Sequence, residues 1–270
     1  MSTLTLPAIG FGTGSLHGGE AARLVESALH AGYRLIDSAF NYENEGAVGA
    51  AVRSGVVPRE DVIVTSKLPG RHHAHDQALA CIEESVYRTG LDHLDLYLIH
   101  WPNPARDQYV EAWQALIEAR SRGLVREIGV SNFLPEHIDR LVTETGVTPA
   151  VNQIELHPYF PQAEQRAYDT AHGIVTQAWS PLGRANSLFT EPVLTEIAAA
   201  HGVGVPAVIL AWHARLGVLP IPKASSPDRQ RQNLAALEVT LTDAEMDAVA
   251  TLARPDGRNK GQDPAVVEQL

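Results

Sequence analysis

Cysteine, lysine and positive charge are all scarce in this chain. The single cysteine, Cys81, has no partner for an internal disulfide, which suits a reducing, cytoplasmic compartment. No basic segment followed by a long apolar one opens the sequence, and no apolar run is long enough for a bilayer, so neither a secretion signal nor a membrane helix is expected. Basic residues number 21 against 32 acidic ones, a formal net charge of -11. Such a surface repels nucleic acid and anionic membranes at long range. An anionic ligand must therefore be met by local cations.

Linkers, solenoid-period repeats and low-complexity tracts are also missing, so the 270 residues are expected to form one domain, 1-270, acting as a monomer. Several catalytic signatures are absent: HExxH, GxSxG, a P-loop, and a tyrosine followed four residues later by lysine. No GxGxxG follows a strand and opens a helix, which argues against a Rossmann-type pyrophosphate turn. The cluster RHHAH, with His72, His73 and His75, reads as a solvated loop, and no metal is expected.

What is present is a regular alternation. Short β-rich runs (AIGFGT, YRLIDSA, DVIVTSKL, LDLYLIHW, VREIGVSN, AVNQIELH, IVTQAWSPLG, VLPIPKAS) are each followed by stretches of helical periodicity, eight β/α units in one pass. Strands this apolar on both faces imply a parallel sheet covered by helices. Eight regular units favour an α/β fold of the (β/α)8 TIM-barrel type, with an open doubly wound sheet as the alternative. A last helix, DAEMDAVATLA, is preceded by Thr242 with Glu245 at capping-box spacing, and the polar tail after Pro255 is expected to cross a barrel face.

In such a barrel, chemistry sits where strands end, so polar residues closing an apolar run are informative. These are Asp37, Ser66 with Lys67, His100, Ser131 with Asn132, and Gln153 with Glu155. Only Lys67, Lys223 and Lys260 are lysines, and two of the three end predicted strands, where a compact ammonium of tunable pKa does what a guanidinium cannot. Neighbouring strands lie about 4.8 Å apart, so Asp37, Lys67, His100 and the nearby Tyr42 can converge. Asp37 would hold Lys67, Lys67 would acidify Tyr42, and Tyr42 would give a proton to a substrate oxygen beside His100. Taken singly, Asp37 also fits a helix cap or turn, Tyr42 a rim aromatic and His100 a core histidine. Two other readings stay open: Lys67 as a Schiff-base nucleophile in an aldolase-like barrel, or a cofactor-binding regulatory subunit with little turnover.

These residues resemble the aldo-keto reductase family. The likeness lies in the Asp-x4-Tyr block with Asn-Glu (Asp37, Tyr42, Asn44, Glu45), Lys67 closing a strand, and HWP from His100 to Pro102. It continues in GVSNF from Gly129, NQIELHPY from Asn152, WSPLG from Trp179 to Gly183, and IPKASSPDRQRQN from Ile221 to Asn233. The resemblance implies a bacterial-type NADPH-dependent carbonyl reductase: hydride passes to an aldehyde or ketone while Tyr42 protonates the oxygen, assisted by Lys67, Asp37 and His100. It implies that Ser131, Asn132 and Gln153 hydrogen-bond the nicotinamide carboxamide and that Trp179 stacks on the ring. The remaining cofactor positions are Gly12, Thr13 and Asp37; Ser180, Pro181, Leu182 and Gly183; and Ile221, Lys223, Ala224, Ser225, Ser226, Arg229, Gln232 and Asn233.

Barrels often hold phosphate near the loops after strands seven and eight. There Ser226 and Pro227 read as an N-cap and first helical residue, so free N–H groups would face an anion. Lys223 and Arg229 supply cations, assigned by the resemblance to the adenosine 2′-phosphate. Ala224 and Gln232 stand where many members have a hydroxyl residue and a glutamate, so NADPH is the expected cofactor with some use of NADH. Phe40, Tyr42, His100 and Trp101 are the expected substrate contacts, with further walls from the loops around His72 and Leu188. Gly14 is expected to widen the pocket.

Overall fold

The structure, a computed structural model, describes residues 4–183 and 187–270. Eight strands form one sheet in sequence order, every neighbouring pair parallel. The first half of the chain runs β1 (Phe11–Gly12), α1 (Gly18–Ala31), β2 (Leu35–Asp37), α2 (Glu45–Arg53), β3 (Ile63–Leu68), α3 (His75–Thr89), β4 (Leu94–Ile99) and α4 (Tyr109–Ser121). The second half runs β5 (Val125–Ser131), α5 (Pro135–Thr145), β6 (Val151–Glu155), α6 (Ala163–Ala171), β7 (Val175–Trp179), α7 (Pro192–His201), α8 (Val205–Arg215), β8 (Leu219–Pro220), α9 (Pro227–Ala235) and α10 (Asp243–Ala250).

The outer strands are shorter than their apolar runs. Pro220 and Pro222 have no N–H to give to a ladder, so β8 stops after two residues. Their carbonyls still accept: the Gly10 N–H donates to Pro220 O at 3.0 Å and the Gly12 N–H to Pro222 O at 3.1 Å, joining the first strand region to the last. The curvature this requires brings backbones close. A Cβ at Gly129 would lie 2.7 Å from Val151 O and 2.8 Å from Leu98 Cδ2, so only glycine fits there.

Two apolar layers hold the sheet. One lies between strands and helices and includes Val25, Leu29, Ile82, Leu116 and Trp113, whose indole N–H reaches Val147 O at 3.2 Å. The other lies inside the curve, where Leu96, Leu98 and Val151 meet Leu4 and Leu6, and Leu35 meets Leu219 and Ile221. The chain's first described residues thus cover the N-terminal ends of the strands, and they form no hairpin. Because side chains alternate along a strand, the pleat that sends Leu35, Leu96 and Val151 inward also sends in Asp37, Leu98 and Gln153, one step nearer the C-terminal ends.

The capping box expected before the last helix is present. Thr242 and Glu245 form a reciprocal capping box on α10. The tail then runs over the C-terminal ends of the strands: the Asn259 N–H donates to the Glu155 carboxylate, and near the end the Gln269 N–H donates to Asn103 Oδ1 at 2.9 Å while Asn103 Nδ2 donates to Gln269 O at 2.8 Å. A Cβ on Gly70 would collide with both Asn103 and Gln269 O, so a glycine is required where the tail docks. No single helix among the described residues is long and apolar enough to cross a membrane.

Candidate active site

The candidate site is made of residues at the C-terminal ends of the strands and in the turns after them. Asn44, buried at the start of α2, donates to Thr13 O and Leu16 O, both at 2.9 Å, and accepts from Ser38 Oγ at 2.6 Å. This ties the turn after β1 to the loop after β2, the loop that carries Tyr42. Thr13 adds two bonds, N–H at 3.0 Å and Oγ1 at 2.8 Å, to the Asp37 carbonyl. Both Thr13 donors are therefore spent on backbone.

Lys67 is fully buried. Its ammonium donates to Asp37 Oδ2 at 2.7 Å and Ser38 O at 2.9 Å, and lies 5.1 Å from the centroid of the Tyr42 ring. Desolvation pushes its pKa down, but the Asp37 carboxylate and a contact with the Tyr42 hydroxyl outweigh that, so it stands above the ordinary lysine value. A Schiff-base role needs a neutral amine, and this environment favours the charged form.

His100 meets Tyr42 edge to face at 5.9 Å. Burial, helped by the nearby Lys67 charge, holds its pKa down at about 3, so the ring is neutral at physiological pH. Nδ1 is buried with no partner among the described residues. A neutral imidazole beside the phenol can donate or accept a hydrogen bond, but it is not a reservoir of charge.

Asp37, Tyr42, Lys67 and His100 thus come together. Gln153 joins them, its Nε2 donating to Asp37 Oδ1 at 2.8 Å. Ser131 Oγ donates to Gln153 O at 2.8 Å. Asn132 donates to His100 O and Ser131 Oγ and accepts the Trp179 indole N–H at 2.7 Å. The polar atoms of Asn132 are thereby held by protein, while Trp179 is anchored beside them. Ser180 and Asn132 adopt positive φ, 48° and 62°, which turns the chain sharply as it leaves β7 and β5.

The residues expected to wall the pocket fall as follows. Trp101 is buried, and Phe40 lies under the guanidinium of Arg88 at 3.8 Å, with Arg71 at 5.5 Å and His72 at 5.8 Å. Beyond Phe40 is a cavity of about 340 Å³ bordered by Glu43, Gly46, Arg71 and Arg88. A Cβ on Gly14 would touch the Tyr42 ring at 3.7 Å, so the bare glycine leaves that side of the phenol uncovered. Leu188 is buried against the Ile154 and Leu194 side of the core; residues 184–186 of its loop lie outside the described residues.

At the other end of the mouth, Ser226 caps α9 by accepting the Arg229 N–H at 3.4 Å, with Pro227 at the first helical position. Lys223, Ser225, Arg229 and Gln232 are exposed, Ala224 is buried, and Asn233 is buried against Tyr33. Among the described residues neither Lys223 nor Arg229 has an ion-pair partner. The cluster RHHAH is not wholly a solvated loop: His75 contacts Asp76 and Glu118, but His73 is buried, with neither ring nitrogen bonded among the described residues. No group of three metal-ligating side chains occurs among the described residues.

Glu45 entered the sequence reading only as part of the family block, and Gln177 escaped it altogether. Glu45 accepts from Ser66 Oγ and pairs with Arg88, bracing the strand that carries Lys67. Gln177 accepts a hydrogen bond from Gln153. A signal for the second existed, since the pleat that turns Trp179 into the mouth turns Gln177 inward two residues beneath it.

The Aldo/keto reductase family profile matches residues 8–254. The chain belongs to that family. It is 49% identical over 261 residues, 97% of this chain and 94% of the relative, to 2,5-diketo-D-gluconic acid reductase B of Corynebacterium sp. (strain SHS752001). To morphine 6-dehydrogenase of Pseudomonas putida it is 41% identical, covering 97% of this chain and 92% of the relative. Among solved structures, a Gox0644 mutant in complex with NADPH superposes with a TM-score of 0.92 at 38% identity, covering 97% of this chain and 94% of the other. A Bombyx mori aldo-keto reductase in complex with NADP does so with a TM-score of 0.86 at 35% identity, covering 93% and 90%.

Proposed function

We propose that this chain is an NADPH-dependent reductase of aldehyde or ketone carbonyls, built as one closed (β/α)8 barrel with its active site at the C-terminal ends of the strands. The two backbone bonds from Gly10 and Gly12 to the β8 carbonyls support closure. The observation that carries the function is the fully buried Lys67, bonded to Asp37 and set against the Tyr42 ring, with a neutral His100 on the other side. Family membership and the NADPH and NADP complexes of its structural neighbours support the cofactor.

The residues present fit that cofactor. Trp179 is held as a ring platform by its bond to Asn132. Exposed Lys223 and Arg229, with no ion-pair partner among the described residues, flank a capped helix start in an otherwise acidic chain, which suits phosphate. Ala224 and Gln232 offer no charge there, so some use of NADH follows.

Bound NADPH supplies the hydride that reaches the carbonyl carbon. Tyr42 donates its phenolic proton to the carbonyl oxygen as that oxygen gains charge, leaving an alcohol. Lys67 stabilises the phenolate left behind, and Asp37 keeps Lys67 protonated in a site too dry to hold an isolated charge. His100 contributes a hydrogen bond to the same oxygen. Trp101 and Phe40 border the substrate, and Gly14 leaves room beside the phenol. A panel of aldehydes and ketones, followed by NADPH absorbance, tests the reading. Oxidation of NADPH with some panel members is expected, whereas tight NADPH binding with no turnover across the panel would favour a regulatory subunit.

A further inference from the structure

Gln177 lies in the interior of the sheet, fully buried, two residues below Trp179 on β7 and in register with Gln153 on β6. Its Oε1 accepts a hydrogen bond from Gln153 Nε2 at 3.1 Å. Its own Nε2 is buried without a partner among the described residues. A buried, unsatisfied amide is costly, and an apolar side chain of the same shape would avoid that cost. The half of Gln177 that makes a contact is therefore the acceptor half, and its single partner among the described residues is Gln153.

Gln153 Nε2 carries two N–H groups, and both are taken: one by Asp37 Oδ1 at 2.8 Å, the other by Gln177 at 3.1 Å. Asp37 alone would leave the second N–H without an acceptor. With Gln177 present, Oε1 is the one polar atom of the Gln153 side chain with no protein partner among the described residues. It is not one of the buried unsatisfied atoms, so it is not wholly sealed from solvent. Ser131 and Trp179 lie on the strands to either side.

We propose that Gln177 is a positioning residue that sets the hydrogen-bonding polarity of Gln153, so that the site offers an acceptor and no donor at this point and selects the amide N–H side of the nicotinamide carboxamide. The inference rests on the reading of Gln153 as a carboxamide contact.

The test compares dissociation constants, measured by indole fluorescence, for NADPH and its reduced 3-acetylpyridine analogue, whose acetyl group has no N–H to donate. One hydrogen bond lost at this contact is expected to make wild type favour NADPH roughly fivefold to tenfold. Gln177→Met fills the same volume without an acceptor and is expected to cut that preference to about twofold or less, because the freed Gln153 N–H can meet the acetyl oxygen. Gln177→Glu, buried as the neutral acid, keeps an acceptor and is expected to retain the wild-type ratio. A Gln177→Met protein with an undiminished ratio, or a Gln177→Glu protein without one, overturns the role of Gln177 and leaves the Gln153 contact standing. A wild type that binds both compounds equally overturns the Gln153 contact and this inference with it. Should Gln177→Met not fold, side-chain amide exchange in the ligand-free wild type decides: slow exchange of both Gln153 Nε2 protons supports the arrangement, and fast exchange of either refutes it.

Discussion

Lys67 and Lys223 both end strand regions on one face of the molecule, yet their surroundings are opposite. Lys67 is sealed in and bonded to a carboxylate and a carbonyl; Lys223 is exposed with no ion-pair partner among the described residues. The first arrangement suits a charge that must act without reorganising, because its neighbours are already in place when the reaction begins. The second suits a charge that waits for an incoming anion, since an ion pair at that position would have to be broken first. One polar surface thus divides into a preorganised floor and an open rim.

The largest effect should come from the floor. Lys67→Met strands the Asp37 carboxylate in a buried site, and breaking such a pair typically costs about 3–5 kcal/mol. A melting temperature lower by on the order of 10 °C and nearly complete loss of turnover are expected. Unchanged melting would mean that the ion pair is not the anchor described. Tyr42→Phe keeps the packing and removes only the proton, so turnover should fall at least about 10²-fold while NADPH affinity stays nearly constant. Turnover at the wild-type level in that variant would remove Tyr42 from the mechanism.

Acid sharpens the contrast further. His100 is held at about 3, and His73 and His213 at about 4, all chiefly by burial. Each has a folded pKa below its unfolded value of about 6.5, so each is neutral and compatible with the fold above that value. Between the two values the unfolded chain binds the extra proton, and stability is lost as pH falls, by up to about 1.4 kcal/mol per pH unit for each histidine. Urea melts from pH 7 to pH 4 should show this decline; a flat profile would contradict the buried neutral state. The smallest effect belongs to the rim: Lys223→Ala should weaken NADPH by roughly tenfold, the scale of one charge-assisted contact, with little change for NADH and none in melting. Equal weakening of both cofactors would dismiss the 2′-phosphate contact.

Much of this was legible in the chain. Eight apolar runs alternating with helical periodicity predict parallel strands under helices, and the observed strands lie in those runs. Asp37, Lys67 and His100 stood out because a polar group ending an apolar strand is expensive unless it has work there, and Tyr42 because it follows Asp37 by one loop. Less legible were the partners of those groups. Asn132 and Gln153 were expected to face the cofactor, and the structure engages much of their hydrogen-bonding capacity with Trp179, His100, Asp37 and Gln177. Such bonds join residues as far apart as 116 positions, and local pattern carries no register between strands. Likewise the shortness of β1 and β8 followed from the backbone N–H groups that Pro220 and Pro222 lack.

The order of strands and helices, the scarcity of free cations and the identity of the polar groups at strand ends were set by the chain alone, because periodicity and composition act locally. Which of those groups touch was settled only in three dimensions, where curvature brings β2 against β6 across the interior. A buried lysine keeps its charge through neighbours that no stretch of sequence around it contains.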